Sequence, residues 1–87
     1  MKKDLLGREI IKVSKSTANV FNIICSKWPI NPVEVADVLG DDGKIKSLSA
    51  KYLYHFKKLK RSGHIIMKRV GNTYIAWPTE VEKWRLR

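Results

Sequence analysis

The residues of this chain with chemistry to offer are concentrated in one stretch, and that chemistry is cationic. Between Gly43 and Thr79 stand Lys44, Lys46, Lys51, Lys57, Lys58, Lys60, Arg61, Lys68 and Arg69, without a single Asp or Glu. The acids, Asp4, Glu9, Glu34, Asp37, Asp41, Asp42, Glu80 and Glu82, all lie outside it. Like charges crowded into a small fold oppose its compaction, but they also create a positive field that attracts polyanions and speeds their capture. With a formal charge of +10 on 87 residues, a polyphosphate is the simplest partner, and nucleic acid comes first among these. Tyr54 and His55 fall within the same stretch and add groups able to hydrogen-bond or stack.

Other constellations carry less. His55 and His64 lie on different elements with no Cys or Asp at ligand spacing, so no metal site is expected. Asp41-Asp42-Gly43 has the start of a calcium loop but lacks the alternating oxygen ligands and the closing Glu. There is no Ser-His-Asp order, no Gly-rich phosphate loop and no carboxylate pair within a core. The sequence therefore implies no enzyme, no cofactor and no small-molecule ligand. Cys25 is the one cysteine; it has no internal disulfide partner and is expected to be a buried small hydrophobe within the run Phe21–Cys25.

Hydrophobic residues make up 44% of the chain, too many for a disordered basic tail. The length suits one domain with a single modest core. Apolar runs are too short for a bilayer span or a signal peptide, so the expected location is cytoplasmic, in association with DNA. An anionic membrane surface is the rival partner. It is disfavoured because the cations alternate with core positions of a folded unit instead of following one long amphipathic helix.

Helical spacing predicts a first helix from about Thr17 to Lys27, with Ser14 or Ser16 as its cap and Pro29 closing it. Trp28 is expected to cover the core. Asn31, Pro32 and Glu34 form a capping box that opens a second helix with Val35, Ala36 and Leu39 as its buried stripe. Gly40 supplies the left-handed end. A third helix is expected to start near Ser47 or Ser49 and to stop at Gly63. Its inner face is Leu48, Tyr52, Leu53, Phe56 and Leu59, and its outer face is Lys51, Tyr54, His55, Lys58 and Arg61, with Lys57 at the margin. Beyond Gly63 the pattern changes to alternation: His64–Val70 and Thr73–Trp77 flank the hairpin signal Gly71-Asn72. Thr79 and Glu82 predict a capping box for a short last helix with Val81, Trp84 and Leu86. Residues 1–15 read as an additional N-terminal element, helix slightly ahead of strand, 16–78 as the domain, and 79–87 as the C-terminal helix.

Three helices followed by a basic hairpin describe a mainly α, α+β chain, and here a family resemblance enters. Ile30-Asn31-Pro32-Val33-Glu34-Val35-Ala36-Asp37-Val38-Leu39-Gly40 looks like the small strand and first helix of a winged helix-turn-helix. Lys51-Tyr52-Leu53-Tyr54-His55-Phe56-Lys57-Lys58-Leu59-Lys60-Arg61-Ser62-Gly63-His64-Ile65 resembles the recognition helix of small archaeal and bacterial winged-helix regulators. The resemblance covers the chain from about Thr17 to Trp77. Its departure is the segment from Gly40 to Ser47, longer than the tight turn of a minimal helix-turn-helix.

The resemblance implies a three-helix core plus wing that binds double-stranded DNA with sequence preference, as a dimeric transcriptional regulator. Helix 49–61 would enter the major groove and wing 66–75 would touch the flanking backbone. The candidate contacts are Lys46, Ser47, Ser49, Lys51, Tyr54, His55, Lys57, Lys58, Arg61, Lys68, Arg69, Asn72 and Thr73. Alternation sets Lys68 and Arg69 on opposite faces of their strand, so at most one of them points at DNA directly. Leu5, Leu6, Ile10, Ile11 and Val13, with Val81, Trp84 and Leu86, are the candidate homodimer surface. A DNA-coating architectural or plasmid-partition protein is the alternative, favoured by seven Lys to two Arg in the cationic stretch. A winged helix used as a protein-interaction module is the second alternative.

Overall fold

Each boundary of the structure can be traced to a local signal. The computed structural model describes residues 14–85, and within them the Ser14 side chain accepts from the Thr17 N–H to open α1, Lys15–Lys27. Trp28, extended before Pro29, ends it, as expected for a residue preceding proline. The capping box of α2, Pro32–Val38, is complete: the Glu34 N–H donates to Asn31 Oδ1 at 2.8 Å, and the Asn31 N–H donates to Glu34 Oε1 at 2.9 Å. α3 spans Ile45–Arg61. It starts earlier than expected, because Lys44 acts as the N-cap through its backbone alone, its carbonyl accepting from the Leu48 N–H at 2.9 Å. Ser47 and Ser49 consequently lie inside the helix.

α2 and α3 end in the same way. The N–H of Gly40 bonds to the Asp37 carbonyl and that of Asp41 to the Ala36 carbonyl; after α3, Gly63 bonds to Lys60 and His64 to Leu59. This paired arrangement needs a left-handed residue, and Gly40 and Gly63 supply it with φ of 70° and 80°.

β1, Ile65–Val70, and β2, Thr73–Pro78, then form an antiparallel hairpin in which Lys68 faces Ile75 and Arg69 faces Tyr74. Ile30, between α1 and α2, adds a bridge to Ala76, with N–H···O distances of 3.2 and 2.9 Å in the two directions. α4, Glu80–Arg85, follows. Thr79 and Glu82, expected as a cap for this helix, also reach across to the hairpin. The Thr79 hydroxyl donates to the Gly63 carbonyl and its N–H to that of His64, while Glu82 Oε1 accepts from the Trp77 indole. These bonds tie the end of the hairpin to its start.

The result is an α+β arrangement, helices followed by a two-stranded hairpin, consistent with a winged-helix-like layout. Val20, Ile24, Ile30, Val35, Ala36, Tyr52, Phe56, Leu59, Ile65 and Ala76 form one core, with Leu48 and Leu53 packed at its margin. Four expectations change. Leu39, the C-cap, stands beyond the last turn of α2 and is exposed. Cys25 follows Ile24 on α1 and turns to solvent. Trp28 is exposed as well. Val81, assigned to a dimer surface, is buried at 5% exposure, on the short helix that packs against β2. The expected N-terminal element and the other terminal apolar residues, including the side chain of Trp84, lie outside what is described.

Candidate nucleic-acid interface

α3 is fixed from its inner side. Phe56 and Leu59 are almost fully buried, and Tyr52 nearly so. A helix pinned along one flank presents the other flank in a fixed orientation. That exposed flank carries Lys46, Ser47, Lys51, Tyr54, Lys57 and Arg61. Lys57, expected at the margin, is fully part of it. Ser49 and Lys58 are half-buried. Tyr54 is 59% exposed, and the Lys58 ammonium lies 5.4 Å from its ring centroid. The cations of the last turn, Lys58, Lys60 and Arg61, also complement the negative end of the helix dipole. They therefore support the helix as well as charging its surface.

His55 does not belong to the outer face. It is buried at 9% exposure because α1 crosses that flank, and its Nδ1 lies 2.9 Å from Thr17 Oγ1. Thr17 Oγ1 is itself 3.0 Å from Ser14 Oγ. Burial, followed by the positive charges of Lys58 and Lys51, holds the imidazole below its ordinary pKa of 6.5. A neutral His55 thus fastens α3 to the first turn of α1, and Tyr54 stands edge-on against it at 5.5 Å. Periodicity alone could not reveal this, since the position lies on the boundary between the two faces.

Lys51 is exposed but not unpartnered. Its Nζ lies 2.7 Å from Asp41 Oδ2, and the same oxygen accepts from the Tyr52 hydroxyl at 2.7 Å. These two donors, Lys51 first, keep the Asp41 carboxyl below its usual range, and the carboxylate in turn raises Lys51. In the sequence Asp41 is a loop residue with no partner in view. Its partners lie ten and eleven residues away, across the α2–α3 turn, and no local signal marks them.

The hairpin brings a second cationic group alongside. Lys68, Arg69 and Asn72 are exposed, and Thr73 is half-buried. Arg69 pairs with Tyr74 and shares its face with Met67 and Ala76, which pack into the core. Arg69 therefore extends the helix-facing side of the sheet, and Lys68 lies on the other side. The Arg69 Nε–H donates to the Gly71 carbonyl at 3.3 Å across the turn. Gly71 has a φ of 61° and Asn72 is not left-handed, the pattern of a turn with a positive angle only at its first central residue.

Among the described residues, no group of three or more His, Cys, Asp or Glu could hold a metal ion. None of their helices is long and apolar enough to cross a membrane. Searches against family models, curated proteins and solved structures return no match to this chain.

Proposed function

We propose that this chain binds double-stranded DNA as a winged helix-turn-helix, with α2 and α3 as the helix-turn-helix, α3 in the major groove and the β1–β2 hairpin as the wing on the flanking backbone. The observation that carries the reading is the outer flank of α3. It is rigidly held, carries Lys46, Tyr54, Lys57 and Arg61 exposed, and contains no acid of its own. An ordinary solvated helix face mixes charge signs. A helix is the element that fits the major groove, where side chains reach base edges. The order of elements supports it too, including the Ile30–Ala76 bridge that adds a third strand position to the hairpin.

In this reading Tyr54 contacts bases, while Lys57 and Arg61 neutralise phosphates and position the helix without reading sequence. Arg69 and Asn72 touch the backbone beside the groove. The protein acts as a transcriptional regulator, working as a homodimer through terminal apolar residues. The preponderance of Lys favours a second reading, a coat of low specificity on DNA, because Lys is a point charge without bidentate base geometry.

Fluorescence anisotropy with duplex DNA over a range of salt tests the proposal. About four to six phosphates neutralised per protomer, each adding roughly −0.9, give a steep negative slope of log K against log salt. A slope near zero removes the nucleic-acid reading. Equal affinity for random and genomic sequences favours the coating protein over the regulator.

A further inference from the structure

We infer that Asp41 is a positioning residue that holds Lys51 off the DNA, so that the middle of the cationic flank of α3 is neutralised from within the fold. The inference rests on the DNA-binding reading above. Asp41 is well placed for this because its position is set from two sides. Its N–H is bonded to the Ala36 carbonyl at the end of α2, at 2.9 Å. Its carboxylate oxygen accepts at 2.7 Å from the hydroxyl of Tyr52, a residue only 5% exposed. Lys51 completes the triangle at 2.7 Å, with its ammonium also 5.3 Å from the Tyr52 ring centroid. An isolated exposed ion pair is weak and easily exchanged. This one has a carboxylate that cannot follow the lysine away, and an aromatic face against which the ammonium already rests.

The long connection between α2 and α3 gains a purpose from this. It carries an acid to the lysine midway along α3, and the exposed cations are divided into Lys44 and Lys46 at the start of α3 and Lys57, Lys60 and Arg61 at its end. A phosphate contact by Lys51 would strengthen binding to every sequence alike. Withholding it lowers general affinity and leaves Tyr54 a larger share of the discrimination.

The test is a double-mutant cycle on a fluorescein-labelled duplex of random sequence, with affinity and salt slope read for wild type, Asp41→Asn, Lys51→Ala and the double variant. The Asn side chain keeps an oxygen for Tyr52 and loses the charge that holds Lys51. Asp41→Asn is expected to bind several-fold tighter, with a salt slope steeper by about 0.9 as Lys51 gains a phosphate. Lys51→Ala alone is expected to change affinity less than twofold, yet to abolish most of the gain in the Asp41→Asn background. Tyr52→Phe, which leaves the ring in place and removes one tie on the carboxylate, should move affinity in the same direction by less. The inference is overturned if Lys51→Ala costs the wild type as much as Lys57→Ala does, or if its effect is equal in both backgrounds. If wild type shows no salt-dependent binding at all, the DNA-binding reading fails and takes this inference with it; binding with the wrong cycle overturns the inference alone.

Discussion

α3 and the hairpin tip are both cationic and free of acids, yet they are held in opposite ways. α3 is gripped by Tyr52, Phe56 and Leu59 within the core, by the His55–Thr17 bond to α1 and by the Asp41 tie to the end of α2. The tip around Lys68, Arg69, Gly71 and Asn72 is exposed and is held by the pairing of β1 with β2, with an Arg69-to-Gly71 bond inside the turn. One region is tied to other elements of the fold; the other is supported by its own hairpin. Recognition of base edges requires side chains delivered at set positions, whereas a phosphate contact tolerates adjustment. Under the DNA-binding proposal, this difference gives base reading to the helix and backbone anchoring to the hairpin.

The largest expected effect comes from loosening the fixed region. Phe56→Ala empties the most enclosed large side chain of the core and should cost about 3–5 kcal/mol, enough to unfold much of a domain this small. Chemical denaturation followed by circular dichroism measures it. A cost below about 1 kcal/mol would mean that the core can collapse around the gap and that α3 is less firmly held than described.

A smaller effect follows from the contact with α1. Thr17→Val leaves His55 without its partner in a buried site and should cost about 1–3 kcal/mol. The same contact gives a pH signature. Because the folded His55 is held below 6.5, the unfolded chain binds the proton more readily. This contribution to stability is complete above about pH 6.5 and declines as the pH falls from there towards the folded pKa. His55→Gln should remove that part of the acid-side loss, as seen in denaturant midpoints across the range. An unchanged profile would show that folding leaves the proton affinity of His55 as it is in the unfolded chain, and that burial does not hold it down.

The smallest effects should separate the two cationic regions from each other. Arg61→Ala and Lys57→Ala are expected to weaken duplex binding on all sequences and to flatten the salt slope by about one unit each. Arg69→Ala should do less, since the hairpin offers a single cation on its helix-facing side against several on α3, and Asn72→Ala less again. A larger loss at Arg69 than at Arg61 would reverse the assignment and make the hairpin the principal contact.

What the sequence made legible was local. The Asn31–Glu34 box, Gly40, Gly63 and Gly71 each act within a few residues, and each appears where its chemistry requires. The boundary of α3 was hidden because Lys44 caps without a side chain, whereas Ser47 and Ser49 look like caps and are not. The inner face of α3 followed from its spacing, but His55 did not, since its burial depends on where α1 crosses. Asp41 was hidden for the same reason. An acid ten residues from its lysine acquires meaning only when two helices bring them together. The acid-free stretch was legible as charge, but how that charge divides between free and occupied lysines is a property of the fold.

DNA binding through α3 is tested most directly by an NMR footprint, in which amide shifts of the labelled protein are followed as duplex DNA is added. If α3 enters the groove, the largest changes fall on its outer flank, at Tyr54, Lys57 and Arg61, with a second, weaker set at Arg69 and Asn72. Changes concentrated on Glu34, Asp37 and Val38 of α2, with the outer flank of α3 undisturbed, would contradict it.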